Sequence, residues 1–166
     1  VCHAAKSTSY SVTVAKQVYC GENQVYAQDT TNKEHAAKGR YTFYVALFAD
    51  SAYQQKVSNV QKITVKGLNG STTFKNLEKD ATYYVSETDK YGVPLVSDDN
   101  RTIRYAAGGK VTMSSQSRTS VIQNIYNSLP AGYRHTARLT VTKNVVKAAG
   151  EEVNVTDTFY AGIFRK

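Results

Sequence analysis

Lys16, Glu87 and Asn124 each stand where the pattern of a strand calls for a hydrophobe. Successive side chains of a strand point to opposite faces, so residues of one parity share a face. In Tyr10–Tyr19 one parity collects Tyr10, Val12, Val14, Lys16 and Val18, which turns the lysine inward with four apolar neighbours. Glu87 shares its face with Tyr83 and Val85, and Asn124 shares its face with Ile122 and Tyr126. Asn127 is the alternative amide, because a one-residue slip in the last strand exchanges its two faces.

An apolar setting disfavours both an ammonium and a carboxylate, so an inward Lys and Glu brought together favour a neutral amine beside a protonated acid. The amine is then a nucleophile. The acid can polarise the carbonyl of a neighbouring Asn and carry protons while ammonia leaves. The product is a Lys–Asn isopeptide cross-link. Each residue also has an ordinary reading: Lys16 reaching the sheet edge, Glu87 pairing with it, Asn124 bonding to backbone.

The elements that must position these side chains are strands. Thirteen Tyr, two Pro and no Trp, with Val and Thr frequent, make a chain rich in strand formers. Alternation predicts strands over Tyr10–Tyr19, Tyr41–Ala49, Ile63–Lys66, Thr72–Phe74, Thr82–Thr88, Thr102–Tyr105, Lys110–Met113 and Ser120–Tyr126. Gly67, Asn69 and Gly70 predict a tight hairpin between the third and fourth of these. The polar stretch Gly21–Arg40 reads as a long excursion with a helical turn near Lys33–Lys38. The expected fold is all-β, an immunoglobulin-like or prealbumin-like β-sandwich.

An internal repeat organises the chain. V-T-V-A-K-Q-V at Val12–Val18 returns as L-T-V-T-K-N-V at Leu139–Val145, and T-F-Y-V-A-L-F at Thr42–Phe48 returns as T-F-Y-A-G-I-F at Thr158–Phe164. Two blocks in one order are two copies of one unit. Lys143 repeats the inward position of Lys16. The expected organisation is an N-terminal tail (1–8), one complete domain (9–127), a linker (128–135) built on S-L-P-A-G-Y-R-H, and the opening strands of a second, incomplete domain (136–166). Two strands alone are marginal in water, so that last segment is expected to need help from outside itself.

V-T-V-A-K-Q-V, Y-Y-V-S-E-T-D at Tyr83–Asp89 and Q-N-I-Y from Gln123 resemble the lysine, glutamate-box and asparagine strands of the Cna protein B-type domains of Gram-positive pilins and surface adhesins. The resemblance covers roughly Ser9–Asn127, and its opening repeats over Leu139–Phe164. It implies that Lys16 and Asn124 are joined, that Glu87 catalyses the joining in a single turnover, and that Lys143 is the cross-linking lysine of the second domain. It also implies an extracellular, cell-wall setting and a role as a stalk module of a pilus or adhesin. Its partners would then be neighbouring domains or subunits of the same surface protein, with host or cell-wall glycans as a further class. The alternative is a ligand-binding module on the same sandwich, using loops such as Gly21–Arg40 or Ser97–Gly109, since fold alone does not decide function.

Other chemistries find little support. The net charge of +8 comes from Lys and Arg scattered singly, without the basic run of a nucleic-acid binder. No apolar run approaches the roughly twenty residues of a membrane span, and Val1 opens without a signal-peptide pattern, so the chain reads as mature or trimmed. His3, His35 and His135 lack ligand spacing, and neither a metal nor a cofactor is expected. No Ser-His-Asp set or phosphate loop argues for turnover of an external substrate. Cys2 and Cys20 are the only cysteines, and an extracellular setting permits a disulfide between them, with free thiols or an intermolecular bond as the alternatives. A strand running straight from Ser9 to Cys20 covers about 36 Å, whereas the residues back to Cys2 reach about 25 Å. The bond therefore requires the strand to start nearer Val12.

Overall fold

The computed structural model describes residues 9–28, 33–97, 103–136, 140–145, 158 and 160–163. The chain divides into two compact units, Val1–Thr136 and Ala137–Lys166. The first is a β-sandwich. Its elements are β1 (Tyr10–Cys20), β2 (Asn23–Ala27), α1 (Lys33–Ala37), β3 (Thr42–Phe48), β4 (Gln61–Thr64), β5 (Asn69–Leu77), β6 (Thr82–Thr88), β7 (Ile103–Ala106), β8 (Gly109–Thr112), β9 (Ser117–Tyr126) and β10 (Tyr133–His135).

One sheet runs β10-β2-β1-β9-β7 with β5 also on β1, and the other runs β4-β3-β6-β8. β1 organises the first. Along one edge it pairs with β9 in parallel from Ser11 to Cys20, so the opening and closing strands of the sandwich lie side by side. Its other edge is shared end to end, by β5 from Tyr10 to Gln17 and by β2 at Tyr19 and Cys20. The inward faces alternate as expected: Val12, Val14, Lys16 and Val18 are all fully buried.

The core separates into two apolar clusters. One gathers Val12, Val14, Val45, Leu47, Ile63, Phe74, Val85, Val111, Met113 and Ile122. The other gathers Val18, Val25, Ala27, Tyr41, Phe43, Val65 and Tyr133, with Cys20 and Tyr126 packed against it. Lys16 falls between Val14 and Val18 on β1, and Asn124 between Ile122 and Tyr126 on β9. The polar side chains thus sit at the divide between the two clusters.

Several expectations are corrected. The excursion after Cys20 contains a strand, β2, which a turn at Gly21 (φ 58°) folds back onto β1. Its inward residues, Val25 and Ala27, are too few for alternation to stand out. The helical turn is α1. The tight turn at Gly67 and Leu68 is present and closes with an antiparallel bridge of Lys66 and Asn69, but the hairpin goes no further, because β4 pairs with β3 and β5 with β1. The residues read as a linker supply β10, which pairs with β2 through Tyr133↔Ala27, Arg134↔Tyr26 and His135↔Val25. Burial of Tyr133, 6% exposed, holds this short strand where Pro130 and Gly132 suggested a free connection. The described residues of the second unit carry no strand, and Val141 and Val145 are exposed.

Candidate functional site

Lys16 and Asn124 approach from adjacent parallel strands of one sheet, and Glu87 approaches from β6 in the other. Packed sheets stand roughly 10 Å apart, a gap that the long Lys and Glu side chains bridge from opposite sides. Lys16 Nζ donates to Glu87 Oε2 at 2.7 Å and to Asn124 Oδ1 at 2.5 Å. Asn124 Nδ2 donates to Glu87 Oε1 at 3.3 Å, which closes the triangle. The three residues are 0%, 4% and 2% exposed in the order Lys16, Glu87, Asn124.

Burial lowers the Lys16 ammonium from 10.5 to about 8, against the opposing attraction and hydrogen bond of Glu87. Desolvation wins because an ammonium removed from water loses more than one carboxylate returns. The amine is therefore partly neutral near physiological pH. The Phe43 ring centroid lies 4.7 Å from Nζ and covers it from the second cluster. Tyr126, two residues beyond Asn124, is pushed up to about 12 by burial first and then by the Glu87 charge, so its phenol stays neutral. Glu87 also lines a cavity of about 230 Å³ walled by Tyr53, Leu95, Val96 and Tyr105.

All three inward polar residues read from the sequence meet here. Asn127 does not: it lies exposed past the end of β9, which leaves Asn124 as the amide in reach. Lys143 is exposed in the second unit. Cys2 lies outside the described residues, while Cys20 is a half-buried free thiol. β1 begins at Tyr10, short of the later start that a Cys2–Cys20 bond requires. His3 also lies outside the described residues, and among those described no group of His, Cys, Asp and Glu could hold a metal ion. No helix among them is long and apolar enough to cross a membrane.

Phe43 and Tyr133 were not singled out as site residues. Phe43 was open to discovery, since it shares parity with Val45 and Leu47 in β3. Tyr133 was not, because a strand of three residues shows no period.

Fold and site together define a β-sandwich with a buried Lys–Glu–Asn triad linking its first strand, its last long strand and the facing sheet. No protein-family model matches the chain, and no curated protein matches it. Among solved structures it is similar to the pilus-presented adhesin Spy0125 (Cpa). A cysteine-to-alanine variant of that adhesin matches at 15% identity and a TM-score of 0.33, over 72% of this chain and 28% of that one. Another crystal form matches at 16% identity and a TM-score of 0.31, with the same coverage. The chain thus matches less than a third of the adhesin's length, and a likeness at this level says nothing of ligand or role.

Proposed function

We propose that this chain is a structural module of a bacterial surface pilus or adhesin stalk, stabilised by an isopeptide bond between Lys16 and Asn124 that Glu87 catalyses once per chain. The observation that carries the reading is the buried triangle, with Nζ in hydrogen-bond reach of both Glu87 Oε2 and Asn124 Oδ1. The sequence resemblance to Cna protein B-type domains supports the same assignment.

The chemistry balances. A proton passes from Lys16 Nζ to Glu87 Oε2, leaving a neutral amine beside a carboxylic acid. Nζ attacks Asn124 Cγ, and the new C–N bond forms as the carbonyl becomes tetrahedral. Glu87 relays a proton from the attacking nitrogen to Nδ2, which already faces its other oxygen. The Cγ–Nδ2 bond breaks and ammonia leaves, taking up the proton first given to Glu87. The cavity beside Glu87 offers the departing molecule room. No external substrate is turned over.

The bond would close a loop spanning 108 residues, from the first strand to the last long one. An amide there resists pulling and proteolysis, which suits an extracellular stalk under shear. By the same reading Leu139–Phe164 opens a second such domain with Lys143 as its lysine, and the partners are neighbouring domains or subunits of one surface protein. The alternative, an adhesive module, draws on an open cleft of about 540 Å³ whose lining includes Asn59, Gln61, Asn76 and Tyr83. Such side chains suit a polar ligand such as a glycan.

Intact-protein mass spectrometry decides the main point. Full-length protein should weigh one ammonia less than its sequence, Glu87→Ala should regain that mass, and tryptic digestion should yield a branched peptide joining Lys16 to Asn124. An unmodified mass for folded wild type would falsify the assignment.

A further inference from the structure

β10 packs into the very cluster that covers one side of the triad. We infer that Tyr133 is a positioning residue for cross-link formation: its ring completes the second apolar cluster and so keeps water from the Lys16 amine. This inference rests on the isopeptide reading above and goes beyond it by assigning a role to a segment after the last long strand.

The triad is walled on two sides by different parts of the chain. On the Val14 and Ile122 side the first cluster is built wholly by residues from Val12 to Ile122. On the Val18 side, Phe43 covers Nζ, and the cluster to which Phe43 belongs takes one of its largest members, Tyr133, from β10. Tyr133 is held closely. Its Oη donates to Arg40 O at 2.9 Å, and its ring lies 5.6 Å from that of Tyr41. Tyr41 Oη in turn is 2.6 Å from Gln28 O and 3.1 Å from Gly132 O, which ties the turn before β10 to the same cluster.

Gly132 is fitted to this docking. It sits at φ 89°, and a Cβ there would meet Tyr41 Oη at 2.6 Å and His35 Nδ1 at 2.7 Å. The chain could not come so close with another residue at that position. Burial first, then Tyr126 and Tyr41, and last the Glu87 charge raise the Tyr133 phenol, so it stays neutral and adds no charge to the site.

The physical consequence concerns the amine. Removing the Tyr133 ring leaves a space bordered by Tyr41 Oη and the Arg40 carbonyl, polar enough for water to enter. A hydrated Lys16 holds its proton more tightly, and its lone pair is then unavailable for attack. Each unit by which hydration favours the ammonium–carboxylate pair over the amine–acid pair costs about tenfold in the reactive pair, and hence in rate.

The test uses the full chain, made by cell-free translation and chased in buffers from neutral to alkaline pH. Intact mass gives the fraction that has lost ammonia at each time. Tyr133→Phe keeps the ring and should cross-link at close to the wild-type rate. Tyr133→Ala should slow about tenfold or more near neutrality, and the alkaline pH at which its rate falls off, as the proton shared by Lys16 and Glu87 is lost, should lie above that of wild type. Tyr133→Leu, milder should the Ala variant not fold, should shift the midpoint in the same direction. Equal rates for wild type and a folded Ala or Leu variant would overturn the inference while leaving the cross-link standing. So would a slower rate whose alkaline midpoint matches that of wild type, which would make Tyr133 a packing residue only. Wild type that keeps its ammonia overturns both readings.

Discussion

Asn124 pairs in the parallel ladder with Val18, not with Lys16, whose own partner on β9 is Ile122. Lys16 therefore reaches Asn124 on a diagonal, two residues out of step along the strands. That offset is about 7 Å at the usual strand rise, which a lysine spans and a shorter side chain does not. The stagger brings the amine to the amide while leaving both backbones in regular pairing.

Removing the acceptor isolates the contribution of the bond. Asn124→Ala keeps the Lys16–Glu87 pair and most of the packing, so it should fold. It should lack the cross-link that otherwise closes a 108-residue loop, which by the chain-entropy estimate for a disulfide stabilises by about 4 to 5 kcal/mol. A lower melting temperature and faster digestion than wild type are expected. Melting and digestion that match wild type would show that the bond does not serve stability.

Glu87→Gln tests the charge. It also abolishes the cross-link, but it strands the Lys16 ammonium in a site where Lys16 is fully buried. Breaking a buried pair by removing one partner costs about 3 to 5 kcal/mol. Glu87→Gln should therefore be less stable than Asn124→Ala, although neither is cross-linked. Denaturant titration of the two variants checks the order.

Much of this site was legible before any coordinates. Lys16, Glu87 and Asn124 break the apolar pattern of strands long enough to show their parity, and parity is what a sandwich converts into burial. β2 and β10 were not legible, for two physical reasons. β2 hides in a polar stretch with only Val25 and Ala27 turned inward. β10 is held by tertiary contacts of a single tyrosine, against the local signal of Pro130 and Gly132. Pairing of the strands beyond the Lys66–Asn69 bridge was missed for a related reason: a turn's residues fix its geometry but not which sheet receives each arm.

Gly70 offers a packing test beside the site. It pairs with Lys16 in the ladder between β1 and β5, and a Cβ there would collide with the Thr64 backbone and the Ile63 side chain. Backbone cannot yield as a flexible side chain can. Gly70→Ala should destabilise by about 1 to 3 kcal/mol, read as a shift in the denaturation midpoint. A neutral outcome would show that β4 and β5 can part without cost.

The last prediction concerns pH in protein that cannot cross-link. In Asn124→Ala the buried Lys16 remains, and its amine in the wild-type site titrates at about 8, against 10.5 for the unhindered group. Below pH 8 the amine is protonated in both folded and unfolded chains, and the folded state bears the full penalty of a buried ammonium. Between about 8 and 10.5 the unfolded chain binds more protons than the folded one, so unfolding free energy rises with pH through this window. The comparison is with Lys16→Met in the same Asn124→Ala background, which removes only this proton. Denaturant titrations at neutral and alkaline pH should show Asn124→Ala gaining stability relative to the double variant as pH rises. A constant difference between the two would mean that Lys16 holds its proton equally in both states, and that desolvation does not prepare it as a nucleophile.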